Sequence, residues 1–266
     1  MKMDPRSIGF FDSGMGGLSI ALAARRALPE ERFIYAGDCS HAPYGDRTPG
    51  FIQERSLKIA SYLFGKAGVK ALVIACNTAT AEAADAIRSK FPDKIVIGVE
   101  PAIKPAAAYS KTGVIGMIST MRTAKSRRYA ELIRHYAGSV RVISEGCPGL
   151  MERVELGDLD GPLTRKLCRQ YLSGMLKEGI DALVLGCTHY PFLTKSISEI
   201  TGPGVRLFVP DDAVAHHLKE RLAQDSLLSE KNSGPDTFFI SGLNEGREQT
   251  VRLLYPFKAD FSELPV

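Results

Sequence analysis

Two short strings place ionisable groups directly after apolar runs: Cys76-Asn77-Thr78 and Cys187-Thr188-His189. A thiol is a weak acid with an ordinary pKa of about 8.5, and nearby donors or cations shift it toward the reactive thiolate. The runs that carry the two thiols are near copies. Gly68 to Cys76 reads GVKALVIAC, and Gly179 to Cys187 reads GIDALVLGC. A second pair, Ile8-Gly9-Phe10 and Ile115-Gly116-Met117, recurs in the same order at nearly the same spacing. Two similar units, each ending a strand in a thiol, can set one acid/base group on each face of a bound molecule. That arrangement suits removal and return of the proton on an α-carbon acid, whose enantiomers present their Cα–H to opposite faces.

The neighbours of the two thiols fit the same chemistry. Asn77, Thr78, Thr188 and His189 offer donors for a carboxylate and for developing enolate charge. A helix N-terminus is expected after each thiol, adding positive potential. Asp12 opens the glycine-rich string DSGMGG, residues 12–17. As a phosphate cradle this string fits poorly, because it is not G-x-G-x-x-G and Asp12 would repel an anion. A carboxylate there is better suited to an ammonium group or to a nearby thiol; the competing reading is a tight turn with a cap. APYGDR, residues 42–47, reads as a turn. Cys39, Cys147 and Cys168 read as small buried hydrophobes. His41, His135, His216 and His217 have only surface or capping contexts.

The elements that must hold these groups alternate between strand and helix. Strands are expected at Ile8–Phe11, Arg32–Ala36, Ala71–Ala75, Lys94–Val99, Gly113–Ile118, Val140–Ser144 and Ala182–Leu185, with weaker candidates at Leu207–Val209 and Thr237–Ser241. Helical patterns fall between them at 20–31, 49–68, 78–91, 123–136 and 161–178, and residues 225–236 read as a polar surface loop. This order gives an α/β class with two similar domains. Each is a mostly parallel sheet flanked by helices, related by pseudo-symmetry, with the site between them.

At 266 residues, with 44% hydrophobic and 24% charged residues, the chain can bury a sizeable core. The net charge of +4 is interspersed, so no nucleic-acid partner is expected; the densest cluster, Lys125-Ser126-Arg127-Arg128, reads as a solvated helix face. No membrane partner or signal peptide is expected, since no run of about 18 apolar residues occurs and the first residues lack an apolar stretch. Five cysteines with no CxxC point to free thiols in a reducing cytoplasm and away from a structural zinc site.

With these motifs in view, the chain resembles the glutamate racemases of the aspartate/glutamate racemase superfamily. FDSGMGGLS, YAGDCSHAPYGDR, ALVIACNTATA, GVEPAIKPA and ALVLGCTHYPFL occur in that family's order, from about residue 8 to 212. The resemblance implies interconversion of L- and D-glutamate without cofactor or metal, supplying D-glutamate for peptidoglycan. It implies Cys76 as the base toward D-glutamate and Cys187 toward L-glutamate, with Asp12 assisting the first and His189 the second. Glu155 matches a family glutamate in Val154-Glu155-Leu156-Gly157, although Gly149 and Arg153 stand where the family is more apolar. Substrate contacts are implied for Asp12, Ser13, Tyr44, Gly45, Asn77, Thr78, Thr188 and His189, and Thr120 and Thr123 match a looser element. The resemblance further implies a first domain of residues 1–97 plus 211–266, a second of 98–210, and a homodimer. No long N-terminal extension is seen, so regulation by a cell-wall precursor, a property of some members, is not expected.

Three other readings compete. One is a racemase of the same superfamily for aspartate or a related acid. Another is a cysteine hydrolase using Cys187 and His189, disfavoured because residues two apart beyond a strand are poorly placed as nucleophile and base. The third is a two-lobed, non-catalytic amino-acid-binding protein, which needs no paired thiols.

Overall fold

The computed structural model describes residues 4–231 and 234–266. The first half of the chain forms β1 (Ile8–Asp12), α1 (Leu18–Ala27), β2 (Phe33–Gly37), α2 (Pro49–Gly65), β3 (Ala71–Ile74), α3 (Asn77–Lys90), β4 (Ile95–Gly98) and α4 (Ile103–Tyr109). Next come β5 (Val114–Ser119), α5 (Met121–Lys125), α6 (Arg127–Tyr136), β6 (Arg141–Gly146), α7 (Leu150–Glu155), α8 (Pro162–Lys177), β7 (Ala182–Gly186), α9 (Thr194–Thr201) and β8 (Arg206–Phe208). The chain closes with α10 (Asp211–Gln224), β9 (Asp236–Ile240), α11 (Glu245–Leu254) and β10 (Ala259–Glu263).

Two sheets result. The first has the order β10-β9-β2-β1-β3-β4 and the second β6-β5-β7-β8. Every strand pairing is parallel. The β2-β1-β3-β4 core of the first sheet has the same order as the second, and the repeated sequences occupy equivalent strands. Ile8-Gly9-Phe10 and Ile115-Gly116-Met117 lie in β1 and β5; the two thiol-bearing runs supply β3 and β7. Every residue of β1, β3 and β7 is buried. A parallel strand covered by helices on both faces must be apolar on both, which is why these runs are continuous rather than alternating. In such a fold the residues just past the carboxyl ends of the central strands face the ligand crevice, which is where both thiols sit.

The C-terminal segment returns to the first sheet through β9 and β10, and Asp236 ties it down. Its carboxylate accepts from Arg25 Nη2 at 2.6 Å, the Phe33 amide at 2.8 Å and the Tyr255 hydroxyl at 2.7 Å, all buried. Replacing Asp236 by alanine strands the buried Arg25 charge. Urea unfolding of this variant is therefore expected to show a loss of about 3–5 kcal/mol.

Several elements differ from the periodicity reading. The single helix expected at 123–136 is two, broken at Ser126, whose backbone is extended and whose hydroxyl caps α6 through the Tyr129 amide. The helix expected to reach Gly68 stops at Gly65. β10 and helices α4, α7, α9, α10 and α11 have no counterpart among the expected elements. Residues 232 and 233 of the expected loop at 225–236, and residues 1–3 of the N-terminal segment, lie outside the described residues.

Candidate active site

The residues that follow β1, β3, β5 and β7 converge where the two sheets face each other. Cys76 is the N-cap of α3: its Sγ accepts from the Ala79 amide at 3.4 Å and lies 3.6 Å from Ser13 Oγ. The positive end of a 14-residue helix therefore points at this sulfur. Burial, reinforced by the Asp12 carboxylate, nevertheless pushes the Cys76 thiol well above its ordinary value.

Asp12 ends β1 and is fully buried. Its Oδ2 accepts from the amides of Gly14 and Gly17, at 3.3 and 3.0 Å, which is the turn-capping role. Its Oδ1 has no hydrogen-bond partner. Burial raises the Asp12 pKa, opposed by the charge on His189. The turn-capping reading of DSGMGG is therefore seen in Oδ2, while Oδ1 is left without a partner.

Cys187 is built differently. The strand β7 is followed by an irregular turn and a 3-10 segment at Tyr190–Leu193, and α9 begins only at Thr194. The helix N-terminus expected next to this thiol is therefore absent. An imidazole takes its place: Cys187 Sγ lies 3.7 Å from His189 Nδ1. The expectation that residues two apart are poorly placed for each other fails here, because the turn after β7 curls His189 back over the sulfur. The other ring nitrogen, Nε2, lies 2.7 Å from Glu155 Oε1 and 3.2 Å from the Gly16 amide nitrogen. Glu155 Oε1 also accepts from the Met15 amide at 2.6 Å. Burial opposes a charge on His189, but the hydrogen bonds to Cys187 and Glu155 outweigh it and lift the imidazole well above its ordinary range.

This contact also explains Gly14 and Gly16. A Cβ on Gly16 would overlap the His189 ring, and one on Gly14 would overlap the Glu155 carboxylate. The string is a landing surface for two side chains of the opposite unit.

On the far side, Thr78 Oγ1 lies 3.0 Å from Thr120 Oγ1 and 3.2 Å from Thr123 Oγ1, joining α3 to the cap of α5. Gly45 packs against Thr120, with room for little more than its hydrogen. Tyr44 is buried and donates to Asp38 Oδ2 at 2.7 Å. Thr188 is buried between Cys187 and His189 in sequence. Neither Oδ1 nor Nδ2 of the buried Asn77 has a partner. Two unpartnered amide atoms inside a protein are costly unless a ligand meets them. Asn77→Ala is accordingly expected to leave urea stability unchanged or higher. The KM for the ligand should rise by about 10-fold or more, the loss of hydrogen bonds to a charged group.

Contacts join Asp12, Ser13 and Cys76 on one side and Cys187, His189 and Glu155 on the other through residues 13–17, with Asn77, Thr78 and Thr188 adjoining the thiols in sequence. Asp38, which the sequence reading did not single out, lies behind Tyr44. It stands immediately after β2, as Asp12 ends β1, and that parallel was the available signal. Burial works against its charge, but hydrogen bonds from Arg55, Tyr44 and His41 hold its carboxyl below the usual range. His41, expected to be a bystander, belongs to this knot under Tyr44.

Comparisons with known proteins point to one family. Residues 19–218 match the family described as Asp/Glu/Hydantoin racemase. The glutamate racemase of Methylococcus capsulatus is 44% identical over 257 residues, covering 96% of this chain and 94% of that one. The glutamate racemase of Francisella tularensis, solved in complex with D-glutamate, shares the fold at a TM-score of 0.86 and 30% identity, over 99% of this chain and 98% of that one. The Escherichia coli glutamate racemase, solved in complex with L-glutamate and the activator UDP-MurNAc-ala, gives 0.87 and 31%, over 97% and 98%. A family match across most of the chain, relatives aligned nearly end to end, and paired thiols on equivalent strands together identify the chain as an isomerase of the Asp/Glu/hydantoin racemase family.

Proposed function

We propose that this chain is a glutamate racemase that interconverts L- and D-glutamate with two thiols and no cofactor, supplying D-glutamate for peptidoglycan. The observation that carries the reading is the pairing of Cys76 and Cys187 on equivalent strand ends, beside unpartnered Asp12 and Asn77 atoms. The glutamate complexes of the two relatives support the choice of substrate.

In the L-to-D direction, the Cys187 thiolate takes the α-proton, and Cys76 delivers its S–H proton to the opposite face. In the reverse direction the thiols exchange roles. His189, backed by Glu155, assists Cys187; Asp12 assists Cys76 and offers Oδ1 to the substrate ammonium. Asn77, Thr78, Thr188 and Ser13 supply donors to the carboxylates and the developing enolate, with the α3 N-terminus adding positive potential. Tyr44 and Gly45 close the Thr120 side. Both thiols are only 5% exposed, so substrate binding requires the unit of residues 98–210 to part from that of 1–97 plus 211–266.

Among the described residues no helix is long and apolar enough to cross a membrane. From the free thiols we also propose a cytoplasmic location, and from the family a homodimer, whose mass sedimentation of the purified chain checks. The function itself is tested by circular dichroism of separate L-glutamate, D-glutamate and D-aspartate solutions. Both glutamate signals should decay to zero without added cofactor while that of aspartate persists. Decay of aspartate alone would move the assignment to the sibling activity; no decay in any solution would favour a binding protein.

A further inference from the structure

We propose that Arg122 and Glu82 form a charge clasp between the two units and set how often the site opens to admit substrate. Neither residue is among the ligand contacts above. The inference rests on the reading of a closed two-thiol site and adds what controls access to it.

The seam runs between α3, which follows β3 of the first sheet, and α5 with α6, which follow β5 of the second. Positions 78, 82 and 85 of α3 share one stripe of the helix, at i, i+4 and i+7. Each meets the opposite unit. Thr78 meets Thr120 and Thr123, Glu82 Oε1 lies 3.9 Å from Arg122 Nη1, and Asp85 Oδ1 lies 3.7 Å from Arg128 Nη1. Packing along the seam is close. The gap lined by Asn77, Ala81, Thr123 and Tyr129 has a volume of about 10 Å³, no more than one water. A molecule the size of glutamate therefore reaches the covered thiols only when the units part.

α5 is the weak element of this seam. Five residues are too few for a helix to hold itself, so its place is set by what it touches. Among the described residues Glu82 is the only carboxylate paired with Arg122, and Arg122 Nε is buried without a hydrogen-bond partner. The two side chains are 27% and 18% exposed, sheltered enough to attract and wet enough for salt to screen them. At 3.9 Å the pair is beyond hydrogen-bond reach, so charge attraction rather than a fixed fork crosses the seam. Parting the units breaks it and leaves the guanidinium without a counter-charge. The Arg128–Asp85 pair differs. Arg128 already holds Glu100 of its own unit at 2.6 Å, and Asp85 is 84% exposed and also paired with Arg88. Such a pair contributes little.

The test needs no substrate. Iodoacetamide labelling of the full chain, read by peptide mapping, measures opening, because a covered thiol reacts in proportion to the open population. Glu82→Gln and Arg122→Gln keep the size of the side chain and remove its charge. Each should raise labelling of Cys76 and Cys187 by about 5-fold, the upper end for one partly exposed ion pair. Cys168, buried in α8 within the second unit, should label at its wild-type rate. Raising KCl from about 0.05 M to about 0.5 M should speed labelling of the wild-type site and leave Glu82→Gln unchanged. Glu82→Arg combined with Arg122→Glu should return labelling to near the wild-type rate, and Asp85→Asn should alter it by less than about 2-fold. Should the exchanged pair fail to fold, the salt comparison decides. Unchanged labelling in either glutamine variant, a salt response that survives Glu82→Gln, no recovery in a folded exchanged pair, an equal rise at Cys168, or an equal effect of Asp85→Asn would overturn the clasp. The expected labelling without any racemisation would leave the clasp standing and sink the racemase reading instead.

Discussion

Cys76→Ser and Cys187→Ser should each lower kcat/KM for racemisation by about 10³-fold or more, within the range that one acid/base group contributes. A serine hydroxyl fills nearly the same space but is a far weaker acid, so its variant keeps the fold and the ligand contacts while losing one proton carrier. The two losses should not look alike. Cys76→Ser retains Cys187 and should still exchange the α-proton of L-glutamate with solvent; Cys187→Ser should do so only with D-glutamate. Polarimetry measures the lost racemisation and NMR the surviving exchange. Full racemisation in either variant would remove that thiol from the mechanism.

Gly16→Ala is expected to have the second-largest effect, although residue 16 carries no functional group. Its Cβ would occupy the space of the His189 ring, and neither the backbone of the turn nor the fully buried ring has room to give. The ring must shift from Cys187, and displacements of this size cost about 10²-fold in rate. The predicted signature is a fall in kcat/KM of about that size in both directions. The cost in urea stability should be only about 1–3 kcal/mol, as for other overpacked sites. A variant with wild-type kinetics would show that the His189 contact is not needed for turnover.

What the sequence disclosed depended on how each feature is encoded. The central strands were legible because a parallel strand covered on both faces must be apolar throughout. The repeat then assigned β1 to β5 and β3 to β7, and with them the two thiols. β10 was not legible: its sequence, ADFSE, is mostly exposed at the sheet edge and carries no apolar run. α7, which carries Glu155, is only six residues long, too short for a period to emerge. Contacts set by turn geometry were also hidden. Nothing in Cys187-Thr188-His189 says that the imidazole folds back onto the sulfur, and nothing in Gly14 to Gly17 says what lands there. For Asp12 the capping reading is seen in Oδ2, and the unpartnered Oδ1 leaves the other reading to experiment.

The central claim is that one protein thiol stands on each face of the α-carbon. It is tested most directly by incubating the wild-type enzyme with pure L-glutamate in D₂O, without cofactor, and reading both enantiomers early in the reaction by NMR after chiral separation. With two thiols, the D-glutamate formed should carry deuterium at Cα while the remaining L-glutamate keeps its proton, and the mirror result should hold from D-glutamate. Product that retains the substrate's own α-proton would mean that a single group removes and returns it, and would contradict the account.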